Sequence, residues 1–228
     1  MKRWFAVTTL SLAALLSTSA QATATQATAT PIQPHAQLHA GLVTVAQARA
    51  LPLGTAVTVV GEVTTPSGAF ESSFFDKGFG LQDLTGGIFV STQTDYGVGP
   101  RRIARITGTL ADSFGLLVLV VSDVSFGPNG LPVLAEPHRT AGIGEGTEGR
   151  IVRVSGRIST APSSDLSFGF KFGVDDGSGE VQIFVNLQTG IDVSTLRLGQ
   201  RVTITGFSSQ FDTHYEIDPR SPADIVTR

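Results

Sequence analysis

From Ala56 to Thr64 the chain alternates: Val57, Val59, Gly61 and Val63 fall on one side, Ala56, Thr58, Val60 and Glu62 on the other. A period of two predicts a strand with one face turned to a core. A long loop rich in glycine and phenylalanine follows. Two short apolar runs, GFGLQ at 78–82 and GIFVS at 87–91, then flank DLTGG at 83–87, which reads as a hairpin turn. Residues 102–110 and 116–124 flank ADSFG at 111–115 and predict a second hairpin. Helical periodicity is weak. Thr44 to Leu51, ahead of Pro52, predicts one or two turns capped by Thr44, and Asp192 to Leu198, ahead of Gly199, predicts another.

The pattern then recurs. GTAVTVVGEVTT at 54–65 returns as GRIVRVSGRIST at 149–160, and Gly78 to Asp83 as Lys171 to Asp176. Ile88-Phe89-Val90 returns as Ile183-Phe184-Val185, and Ile106-Thr107-Gly108 as Ile204-Thr205-Gly206. The order is kept, which is the mark of a duplicated unit. The expected organisation is one domain over 41–133 and a second over 134–228, with the boundary in the Gly- and Pro-rich stretch 127–138. Each half reads as five strands. Gly61 and Gly156 stand mid-strand at the same place in both, where a closing sheet bends sharply. The expected fold is all-β, two consecutive five-stranded OB-fold barrels.

Residues 1–22 carry Lys2 and Arg3, an apolar run from Phe5 to Leu16, and small residues at Ala20 and Ala22, which predicts a secretory signal peptide. Twelve apolar residues are too few to span a membrane, and no membrane span is expected. Residues 23–40, rich in Thr, Ala, Gln and Pro, read as a flexible spacer. The expected location is secreted or periplasmic. The 228 residues contain no cysteine, which excludes disulfides, thiolate metal sites and thiol nucleophiles. Removal of residues 1–22 leaves 14 basic against 19 acidic residues.

The stretch VTVVGEVTT…GFGLQDLTGGIFV…GTL resembles the helicase-type OB-folds attached to secreted bacterial nucleases. The second half departs from the pattern, with Asp175 in place of Gln82 and DGSGEV at its turn. The resemblance covers about residues 41–228 and implies nucleic-acid binding or an accessory role.

OB-folds hold ligands on the outer face of strands two and three and between loops one–two and four–five. Strand parity turns Phe89 and Phe184 outward at equivalent places, and Arg153 and Arg157 outward on the first strand of the second half. Two readings of the phenylalanines stand together: open rings for a ligand, or rings covered by a loop or by the other domain. Loop one–two supplies Phe74, Phe75 and Lys77 in the first half and Lys171, with Phe168 and Phe170, in the second. Loop four–five supplies Phe114 and, in the second half, Phe211 and His214. These aromatic and basic residues are the candidate ligand-binding set, with single-stranded DNA or RNA as the expected partner. Both halves are acidic overall, so such binding is expected to be weak and salt-sensitive. An envelope protein or oligosaccharide, or service as an accessory to a separate enzyme, is the alternative. No nucleophile elbow or spaced metal-ligand motif is present, so no catalytic residue, metal or cofactor is expected. Asp175 to Glu180 reads as a hairpin turn in preference to a Ca²⁺ loop.

Overall fold

The computed structural model describes residues 41–71, 75–165 and 167–228. The readings for residues 1–22 and 23–40 lie outside these, as does Phe74. A short β1 (Gly41–Leu42) and helix α1 (Val45–Arg49) lead into β2 (Ala56–Val63), β3 (Phe79–Gln82), β4 (Gly87–Ser91), β5 (Arg102–Ser113) and β6 (Leu116–Asn129). The order β2-β3-β4-β6-β5 closes on itself through antiparallel pairing of β2 with β5, from Ala56↔Thr109 to Glu62↔Ile103. The one parallel contact of the ring joins β4 to β6, with Phe89 opposite Val118.

After β7 (Glu136–Pro137) the second half repeats the pattern. β8 (Ile151–Asp165), β9 (Gly169–Asp175), β10 (Glu180–Asn186), β11 (Arg201–Phe211) and β12 (His214–Asp218) form a ring closed by β8 with β11. β10 and β12 again run parallel, and β13 (Ile225–Thr227) adds to β11. Both halves are therefore five-stranded barrels of OB-fold topology.

Alternation fills the barrels. Val57, Val59, Val63, Leu81, Ile88, Val90 and Ile106 pack inside the first, and Val152, Val154, Ile158, Val174, Ile183, Val185 and Ile204 inside the second. Gly61 and Gly156 let a neighbouring strand lie against the backbone. A Cβ at Gly61 would stand 2.7 Å from the Gln82 carbonyl oxygen, and one at Gly156 would stand 2.6 Å from that of Asp175.

The segment from Asp192 to Leu198 is not a helix. Asp192 Oδ1 accepts from the Ser194 N–H at 2.8 Å, and Ile191, Val193 and Leu196 reach the second core from a chain of turns. Packing of these three side chains into the barrel holds the backbone in turns, since tertiary contacts and not local propensity decide so short a segment. The Asp175–Glu180 stretch is a turn whose carboxylates take its own donors. Asp175 Oδ1 accepts from Gly177 and Gly179, and Asp176 Oδ1 from Ser178 and Thr140.

A third apolar cluster joins the barrels. Phe70, Phe89, Leu116 and Val118 from the first pack on Ile151 and Phe207 of the second. Gly87 and Gly149 cross backbone to backbone there, and a Cβ on Gly87 would lie 1.9 Å from the Gly149 oxygen. Arg49 of α1 reaches over to Glu145 at 2.7 Å and to the buried Glu148 at 3.0 Å.

Candidate functional site

The equivalent faces of the two barrels meet different fates. On the first barrel, Phe89 projects outward from β4, as parity requires, but is only 1% exposed. Its ring lies 6.5 Å from Phe70 and 5.9 Å from Phe207. The reading of Phe89 as an open ligand contact is corrected: the second barrel covers it, and its area is spent on the joint between them.

On the second barrel the same face opens into a cavity of about 400 Å³. β9 contributes Lys171, β10 Gln182 and Phe184, and β12 His214 and Glu216. The end of β8 brings Asp165, the β8–β9 connection Phe168, the end of β11 Phe211 and the β11–β12 turn Asp212. Two residues of the first barrel complete the rim: Phe75 from its β2–β3 loop and Phe114 from its β5–β6 turn.

The rim is aromatic and open. Phe75 meets Phe168 edge-on at 5.3 Å, and Phe114 stacks on Phe211 at 5.4 Å. Phe75, Phe114 and Phe211 are 67%, 60% and 47% exposed, whereas Phe184, deeper in the wall, is 7% exposed. Phe75 and Phe114 also carry positive φ, 55° and 53°. A bulky side chain is disfavoured there by on the order of 1 kcal/mol. At the tip of a two-residue hairpin, ahead of Gly115, the turn itself favours Asn or Gly over Phe. The ring of Phe114 is thus present at a conformational cost, over a cavity. The two turn tips are joined, since the Asp212 N–H donates to the Phe114 carbonyl.

The floor is polar. Glu216 is 4% exposed, and its Oε2 accepts from Gln182 Nε2 at 2.6 Å. Burial pushes its carboxyl up to about 7; the Gln182 hydrogen bond works against this, Asp165 adds to it and Lys171 opposes it. Asp218, two residues on and fully buried, is raised well above the carboxylate range, by burial first and then by Glu216. Lys171 Nζ lies 3.4 Å from Asp165 Oδ2. The arrangement provides flat apolar surface for a ring, one ammonium, and carboxyl and amide groups for hydrogen bonds.

The structure thus brings together Phe75, Phe184 and Lys171 of the predicted set, with Phe184 buried in the wall and not the open ring that parity suggested. Lys77 is half-exposed in the first barrel, 3.9 Å from Glu71, and does not line the cavity. Arg153 and Arg157 are exposed on β8, a different face from the cavity. Sequence reasoning missed Glu216 and Gln182. Strand parity was the available signal: Glu216 and Asp218 flank the inward Ile217, so both carboxyls face outward from a strand beside Phe211.

No family model matches the chain. Over 200 residues it is 26% identical to an endonuclease, YhcR, of Bacillus subtilis (strain 168), a stretch that makes up 80% of this chain. The chain spans 16% of that protein's length. Among solved structures, a murine DNA-binding protein bound with double-stranded DNA is 14% identical and covers 75% of this chain and 96% of its own, with a TM-score of 0.38. The hypothetical protein ygiW from E. coli is 19% identical and covers 39% of this chain and 96% of its own, with a TM-score of 0.31. At such scores these structures say nothing of function.

Proposed function

We propose that the chain is an exported, non-catalytic binding protein whose second barrel takes single-stranded nucleic acid into the aromatic cavity. The observation that carries this is the ring of Phe75, Phe114, Phe168, Phe184 and Phe211 around one opening beside Lys171. Unpaired bases stack on aromatic side chains of OB-folds, with a basic group for the backbone. The partial likeness to a nuclease supports the same partner, in the part of a binding module. Export follows from the basic and apolar pattern of residues 1–22.

Fluorescence anisotropy with labelled single-stranded DNA, RNA and duplex, each titrated in salt, tests the proposal. Single strands are expected to bind in preference to duplex and to weaken with salt. Phe211→Ala and Phe184→Ala are each expected to remove about 1–3 kcal/mol of binding. Absence of single-strand binding at low salt overturns the proposal.

One observation favours a second reading, an oligosaccharide ligand. Glu216, Gln182, Asp165 and Asp212 offer hydrogen-bond acceptors under a largely uncharged aromatic rim, which suits sugar hydroxyls. Calorimetric titration with soluble envelope oligosaccharides discriminates the two.

A further inference from the structure

The outer face formed by β8 and β11 carries a different chemistry from the cavity. The two strands pair with Arg157 opposite Arg201, Ser155 opposite Thr203 and Arg153 opposite Thr205. All three arginines are exposed. The Arg228 N–H donates to the Arg201 carbonyl at 3.0 Å, which brings a fourth arginine to the same end. Among the described residues, none of these four guanidinium groups has a carboxylate within 4.0 Å. Arg157 Nη1 donates to the Gly199 carbonyl at 2.8 Å, and Ser155 and Thr203 share a hydroxyl contact of 2.9 Å.

A shallow hollow of about 370 Å³ lies there, lined by Arg157, Arg201, Arg228, Ser155 and Thr203. Asp175 and Asp176 line it as well and accept hydrogen bonds within their own turn, so the hollow sets three arginines against two carboxylates. Like charges directly opposite one another destabilise an antiparallel pair. The sheet bears that cost at Arg157 and Arg201, offset in part by Asp175 of β9, which stands opposite Arg157 on its other side without closing to an ion pair. Arg153, four residues along the strand from Arg157, extends the positive charge by about 13 Å.

We infer that this face binds the phosphodiester backbone of single-stranded nucleic acid, at a site separate from the aromatic cavity. The inference rests on the nucleic-acid reading of that cavity. Guanidinium forks match phosphate oxygens two at a time, and the Ser155 and Thr203 hydroxyls add donors between them. An anion seated between Arg157 and Arg201 lowers the repulsion between them.

The test uses the full chain, a labelled single strand, and an abasic strand of the same deoxyribose-phosphate backbone, each titrated by anisotropy across salt concentrations. Arg157→Ala combined with Arg201→Ala is compared with Phe211→Ala. The double variant is expected to lose abasic-strand binding and to flatten the plot of log affinity against log salt by about 1.4, or about 0.7 for each of two phosphates. A cooperative melt like the parent's shows that the double variant folds. Unchanged slope and unchanged abasic binding overturn the inference; if Phe211→Ala then still weakens the normal strand, the cavity reading survives alone. A flattened slope with no effect of Phe211→Ala keeps the arginine face and overturns the cavity reading. A parent protein that binds neither strand overturns both.

Discussion

Glu216 shows how burial turns one carboxyl into a pH-dependent term. Its ordinary value is 4.5 and its folded value about 7, so the folded chain holds a proton there that the unfolded chain has released. The sign follows: the group favours folding fully below about 4.5, and that contribution is lost as pH rises towards 7. Asp218 acts in the same direction. Glu216→Gln keeps the shape and a hydrogen-bonding side chain but removes the charge. It is expected to raise stability at neutral pH by on the order of 2 kcal/mol and to flatten the pH dependence of urea unfolding across that window. A variant as pH-sensitive as the parent would mean that the titration belongs to Asp218 alone.

Among the elements, the first strand of each barrel is the most exacting, because it pairs with strands on both sides while it bends. Gly156→Ala would set a methyl group 2.6 Å from the Asp175 carbonyl oxygen, where only backbone can yield. The expected cost is about 2 kcal/mol in chemical denaturation, with β8–β9 pairing the first contact to loosen. Helix α1, only five residues long, packs Val45 and Ala48 into the first core and reaches the second barrel through Arg49. Arg49→Ala would strand Glu148, whose side chain is 1% exposed, and is expected to cost about 3–5 kcal/mol at neutral pH in thermal or denaturant melts. The strands, both hairpins and α1 were legible in the sequence because a period of two, turn residues and the Thr44 cap are all local signals. The segment from Asp192 to Leu198 was not. Its helical spacing of apolar residues serves to plug a barrel from a run of turns.

For the molecule as a whole, the decisive event is one barrel docking on the other, and no periodicity reports it. Parity placed Phe89 and Phe184 outward alike, and both are buried, Phe184 in the cavity wall and Phe89 in a joint made by residues as far apart as Phe70 and Phe207. For the same reason Phe114, read from sequence as a loop residue, turns out to overhang a cavity of the other barrel. Phe89→Ala is expected to cost about 3–5 kcal/mol and to split the melt into two transitions, seen by calorimetry. Gly87→Ala is expected to separate the barrels in the same way. A single sharp transition in both variants would show that the barrels do not depend on this joint.

That joint also sets valency. A duplicated binding module ordinarily gains by avidity, since two linked sites on one strand act at high effective concentration. Here the first copy's face is consumed by its sister, so among the described residues only the second copy's equivalent face opens into an aromatic cavity. The cavity should saturate at one strand, and the first barrel acts on its affinity only through the two rings it lends to the rim.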